Sequence, residues 1–177
     1  MVLESLMNNL EKSVENFRTN QAANFEKAFQ NNSFKEGIKP RHIPTINEDM
    51  VGKDVNGVRF TKRVFTLNGE RVEGVFPVFK SEFNVRLPQN LYKASDNEQL
   101  SYCTKKLAAR IERDPEFAKK FNSRQLEQIR NEEPRINGLT WHHSEIPGKM
   151  QLVNANDHSA ARHTGGRSIW GGGSESR

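Results

Sequence analysis

Cysteine is almost missing from this chain: Cys103 is the single one in 177 residues, which excludes an intrachain disulfide and any cysteine-rich zinc ribbon. It falls in a helical pattern between Leu100 and Leu107, where a buried, inert thiol is the expected state. Long apolar runs are missing too, so no segment is suited to span a bilayer. The first dozen residues carry Glu4 and Glu11 where a secretory signal needs a basic start and an apolar stretch, so cleavage by a general export pathway is not expected. Apolar residues make up 34% and charged residues 28%, with a mean hydropathy of −0.83, which permits a modest core under long solvated elements. No internal repeat is present, and the length suits one ordinary domain with an extension.

The charge is one-sided but mild. A net +5 favours a polyanionic partner, because basic groups attract the phosphate backbone of nucleic acid whatever its sequence; charge alone does not establish such a partner.

In chain order, Leu3, Leu6, Leu10, Val14, Phe17, Phe25 and Phe29 recur at helical spacing and predict an N-terminal amphipathic helix. From Asn31 to about Asp54, Gly37, Pro40, Pro44 and Gly52 punctuate a polar stretch that reads as a linker, with His42 a solvated loop residue. The chain therefore divides into residues 1–54, helix and linker, and 55–177, a functional domain. Two β-rich runs, Val58 to Leu67 and Glu70 to Phe79, flank Asn68-Gly69, and that pair predicts a hairpin with a type I′ turn. Pro77 has no amide donor, which places the second strand at an edge or ends its pairing early. Arg59, Lys62, Arg63 and Arg71 form a solvated strand face or track a phosphate backbone. Helices resume after Pro88: Ser95 to Glu98 is a capping box, Asp114-Pro115 restarts a helix, and a third begins at Ser123 and ends before Pro134.

The richest stretch is Leu139 to Gly173. It holds four of the five histidines (His142, His143, His158 and His163) and both tryptophans, Trp141 and Trp170. Imidazoles crowded this way suit a metal or an acid–base site better than a core. Leu139 to His143 reads as a strand, Pro147-Gly148 as a turn, Met150 to Val153 as a second strand, and His158 to Arg162 as a short helix stopped by Gly165-Gly166. Neighbouring residues of a strand point to opposite faces, so His142 and His143 suit two different roles. His163 lies five residues after His158, about 140° around a helix axis, so it either swings back beside His158 or contacts phosphate with Arg162 and Arg167. A structural zinc site, or histidines satisfied singly by backbone carbonyls, are the inert alternatives.

Trp141-His142-His143, followed by Gly148-Lys149-Met150-Gln151-Leu152-Val153 and then His158 and His163-Thr164-Gly165-Gly166, resembles the WHH branch of the HNH and endonuclease VII nucleases. The tail from Arg167 through Trp170 to Gly173 is similar to C-terminal domains of bacterial polymorphic toxins, including those with LXG-type delivery regions. The resemblance covers about Leu67 to Gly173 and is tightest from Leu139. It implies an α+β fold, a ββα-metal finger at 139–166 with added helices and a hairpin. It also implies a metal-dependent DNA endonuclease of low sequence specificity, with His143 as general base and His142, His158 and His163 as metal ligands. Gln151 stands near the middle Asn of the family motif, where it would orient the base or the loop. Lys149, Arg162 and Arg167 are the candidate nucleic-acid contacts.

Mg2+ or Mn2+ would support turnover, and the imidazole-rich set would also take Zn2+ or Ni2+. The resemblance further implies an antibacterial toxin, secreted or delivered by a specialised system, acting in the target cell's cytoplasm and neutralised by an immunity protein, plausibly acidic. An RNase of the same fold and a zinc-stabilised nucleic-acid-binding module without turnover are the alternatives.

Overall fold

A computed structural model describes residues 39–176. Contacts divide the chain between Lys39 and Pro40, and the unit from Pro40 onward holds every element below. The N-terminal amphipathic helix expected over the first thirty residues lies outside the described residues. No helix among the described residues is long and apolar enough to cross a membrane.

The fold is α+β, built on two sheets. The first comprises β1 (Arg41–His42), β2 (Asp54–Val55), β3 (Val58–Leu67) and β4 (Glu70–Val78) in the order β1-β4-β3-β2. β3 and β4 form the hairpin expected from Asn68-Gly69, pairing from Leu67 with Glu70 to Arg59 with Val78. The two turn residues have φ of 50° and 83°, the left-handed values of a type I′ turn, which glycine adopts without strain and asparagine tolerates. Pro77 pairs with Phe60 on the hairpin side, while β1 covers the other edge of β4 only at Val72 and Glu73. The missing amide therefore falls where no described strand needs it.

The polar stretch that reads as a linker is partly structured. β1 runs parallel to β4, a 3-10 turn follows at Glu48–Met50, and β2 pairs with β3. Two-residue strands carry no apolar alternation, so sequence periodicity passes over them. His42 is half-exposed and lies 3.4 Å from Glu48.

The second sheet has β7 (Lys149–Asn154) in the middle, flanked by β5 (Ser81–Arg86) and β6 (Leu139–His143). β5 was not anticipated; its only apolar residues are Phe83 and Val85, and its register breaks between Ser81 and Phe83. Against one face packs α1 (Asp96–Arg113), opened by the expected Ser95–Glu98 capping box. α2 (Pro115–Ala118) is capped by Asp114, and α3 (Ser123–Arg130) by Asn122. Cys103, Leu107 and Ile111 of α1 bury against Trp141, Met150 and Leu152. The indole of Trp141 donates to Thr104 Oγ1 at 3.1 Å, tying β6 to α1 by a buried polar contact. Burial pushes the Cys103 thiol up to about 12, so it is inert as expected.

β7 alternates: Met150 and Leu152 face α1, while Val153 joins Val58, Phe60 and Val75 of the first sheet and Phe79, which follows β4. The second sheet is therefore covered by helix on one side and by the hairpin sheet on the other. Two short helices complete the unit: α4 (Ala155–Ala160) follows β7 directly, and α5 (Gly166–Ile169) follows an irregular segment.

Leu107 is fully buried between α1 and the second sheet. Leu107→Ala is expected to cost about 2–5 kcal/mol, measured by urea denaturation, without altering the spectroscopic signature of the hairpin sheet.

A three-histidine cluster beside His143

β6 is an edge strand, and its last residues are Trp141, His142 and His143. Alternation sends Trp141 and His143 toward α1 and His142 toward the first sheet, the opposite-face arrangement expected from a strand. The contacts agree: His143 Nε2 lies 2.6 Å from Gln99 Oε1 on α1, whereas the His142 ring packs edge-on against Phe79, centroids 4.7 Å apart.

α4 brings the next imidazole. Asn154 is its N-cap, accepting from the amides of Asn156 and Asp157, and the last turn carries His158. Asp157 accepts from Asn56 Nδ2 at 2.8 Å. The helix stops at Ala160 because Ala161 takes φ −83° and ψ 64°, well before the glycine pair expected to stop it. Gly165 instead caps the start of α5. This early end resolves the geometry of His163: outside the helix, the 140° offset no longer applies and the ring swings back. His163 Nδ1 donates to the Ala161 carbonyl at 2.6 Å, which leaves the lone pair on Nε2.

The returning segment is held by the turn that follows β1. Asn47 Nδ2 donates to the Arg162 carbonyl at 2.8 Å, and the Ile46 amide donates to Thr164 Oγ1 at 3.1 Å. Only glycine fits at Gly166, since a Cβ there would collide with the Ser144 carbonyl and with the Trp170 indole that donates to it.

His142 Nδ1 lies 3.3 Å from both His158 Nε2 and His163 Nε2, and one ring nitrogen from each of the three falls within 4.8 Å of the others. Imidazole nitrogens about 2.1 Å from one tetrahedral ion would stand about 3.4 Å apart, so this donor set fits a divalent cation. Phe79 backs all three rings. Burial drives their protonation down: His142 lies well below its ordinary value, with the neighbouring imidazoles adding to the effect. His158 is lowered to about 4 by burial and then by His163. His163 is lowered by burial, partly offset by the Ala161 carbonyl and Glu145. Neutral imidazole is the form that ligates a metal.

The cluster and His143 share one cavity of about 200 Å3 at the free edge of β6, which also reaches Asp96 and Arg167. The other expected contacts distribute unevenly. Arg167 is buried at the cavity rim, donating to the Ala94 carbonyl and standing 3.1 Å from the Asp96 carboxylate. Arg162 is exposed and does not line the cavity. Gln151 pairs with His142 in register but, with Lys149, lines a separate small pocket beside Phe79, Arg63 and Glu145. Glu145 is buried and pairs with Arg63 at 3.3 Å while accepting from Ser144 Oγ. Gln99, Phe79 and the Arg63–Glu145 pair were not picked out from the sequence. Gln99, Phe79 and Arg63 reach the site from parts of the chain distant from Leu139 to Gly173, and no local spacing marks their meeting with it.

Strand, turn, strand and short helix thus gather three imidazoles beside a fourth in an α+β fold. The family model described as the DNase/tRNase domain of colicin-like bacteriocin matches residues 68–165, more than half of the chain, and the chain belongs to this family of nuclease toxin domains. The match runs from the hairpin turn through β7 and α4 to the segment that returns His163. Comparison with curated proteins and with solved structures returns no match.

The lowered histidines set a pH dependence. Their folded forms take up protons less readily than the unfolded chain, whose histidines titrate near 6.5, so stability rises with pH through that window and is lost as pH falls. Metal-stripped protein is expected to lose stability from about pH 6.5 down to about pH 4, where His158 titrates in the fold. His158→Asn flattens that slope in denaturant titrations at successive pH values.

Proposed function

We propose that this domain is a metal-dependent, largely sequence-nonspecific DNA endonuclease of the WHH branch of the HNH nucleases, acting as an antibacterial toxin. The observation that carries the reading is the convergence of the His142, His158 and His163 ring nitrogens in one cavity with His143. These three would hold a divalent cation, Mg2+ or Mn2+ in turnover and Zn2+ or Ni2+ when tightly bound. Such an ion supplies Lewis-acid stabilisation of phosphate charge.

The remaining work falls to the chain. His143, directed to the other face of the strand, takes the proton of the attacking water as general base. Arg167, at the cavity rim, meets a non-bridging phosphate oxygen in partial exchange for Asp96. Lys149 and Arg162 lie farther out and suit contact with flanking phosphates, and Gln151 supports the strand pair that carries His142. Nothing in this set reads base edges, which favours backbone recognition over sequence recognition.

The family description names tRNase beside DNase, and that supports an RNase as the second reading. As a colicin-like toxin the protein is released or delivered, acts in the cytoplasm of the target bacterium, and is held inactive by an immunity protein. The net charge of +5 suits an acidic inhibitor. The nuclease domain in this reading spans about residues 55–177.

His143→Ala is expected to abolish cleavage, by about 100- to 10,000-fold, with metal content and melting temperature unchanged. Loss of both metal and fold in that variant would instead favour a structural metal site. Parallel incubation of the purified protein with plasmid DNA and with structured RNA, each with Mg2+, separates the two substrate readings. Cleavage of RNA alone would remove the DNase assignment.

A further inference from the structure

Gln99 is a polar side chain with no exposure at all, in the first turns of α1. Its amide nitrogen lies 2.7, 2.9 and 3.1 Å from the carbonyl oxygens of Leu91, Tyr92 and Ala94. A side-chain amide has two donor hydrogens on nitrogen and only acceptor capacity on oxygen, so three surrounding carbonyls admit only one orientation. The nitrogen must face them. Oε1 is thereby forced toward His143 Nε2, 2.6 Å away.

A carbonyl oxygen only accepts, so His143 Nε2 must carry a hydrogen. In the neutral ring the lone pair then resides on Nδ1. Ring rotation is fixed by the same bond, with Trp170 packed against the imidazole at 5.6 Å between centroids. The Ala94 carbonyl that anchors Gln99 also accepts from Arg167, so base, amide and rim arginine hang on one turn of backbone.

We infer that Gln99 is a positioning residue that sets the tautomer and ring orientation of His143, directing Nδ1 to the proton of the attacking water. The inference rests on the reading of His143 as general base. Gln99 makes no contact with the three-histidine cluster in this scheme; it acts on the base alone. Loss of such an orienting partner costs about 10- to 100-fold in activity.

The first test is direct. Long-range proton–nitrogen correlation spectra of 15N-labelled wild-type protein loaded with Zn2+ report which ring nitrogen of His143 is protonated, with His143→Ala providing the assignment. Protonation at Nε2 is expected, and a proton on Nδ1 instead overturns the inference. This measurement needs no substitution of Gln99, and it decides the question even if removing the anchored amide keeps a variant from folding.

The second test is kinetic. Gln99→Leu is expected to lower kcat about 10- to 100-fold. KM for the cleaved polymer and the affinity for Zn2+ measured by calorimetry should stay within twofold of wild type. A general loosening of the site would move all three together and would overturn the role proposed for Gln99. Adding Gln99→Leu to His143→Ala should slow the enzyme no further, because the amide acts only through the imidazole. Wild-type kcat in Gln99→Leu beside an inactive His143→Ala overturns this inference alone. Wild-type activity in His143→Ala overturns the general-base reading, and the catalytic part of this inference with it.

Discussion

The alternation of side chains along a single edge strand is the constraint on which the site depends. Had His142 and His143 emerged on the same face, one would have displaced the other from the cluster or from Gln99. β6 separates them by sending one to each side, and at its edge, which no other described strand covers, both line a common cavity. Trp141 fixes the phase: its indole, bonded to Thr104 inside the α1 interface, leaves the strand no freedom to slip by a residue without exposing a buried aromatic ring. Register is thus held by the core, and the chemistry inherits it.

The second theme is the use of burial against protonation. Phe79 and the surrounding apolar residues of the first sheet surround three imidazoles that would each prefer water when charged. Taking them out of water keeps them neutral, and the mutual closeness of the rings reinforces the effect. On the opposite face the environment is built from hydrogen bonds: an amide locked by three carbonyls presents a single acceptor to His143. One face suits lone pairs shared with a cation, and the other suits a lone pair offered to a proton.

How much of this was legible in the sequence follows the range of the interactions. Asn68-Gly69, the Ser95 to Glu98 box and Asp114-Pro115 were readable because a turn or a cap is decided by residues within four positions. The strand, turn, strand and helix order from Leu139 was readable for the same reason. The return of His163 was not, since it depends on where α4 ends and on Ile46 and Asn47 meeting Thr164 and Arg162 across more than a hundred residues. β1 and β5 are too short or too polar to show a period, and their partners lie elsewhere in the chain. Nothing in the sequence around Gln99 marks it. Its importance comes from three carbonyls of the preceding turn, which no spacing rule anticipates.

The lone thiol of Cys103 has a consequence for the covalent character of the domain. With its ionisation pushed to about 12 and its sulfur sealed under α1, it presents almost no thiolate to an oxidant or a mixed disulfide. With no second cysteine in the sequence, the chain has no internal cross-link to form, reshuffle or reduce. Its topology is that of an open string: the domain is held together only by contacts that can be undone and remade. Passage between an oxidising exterior and a reducing interior therefore leaves its bonding unchanged, and refolding of an extended chain involves no redox step.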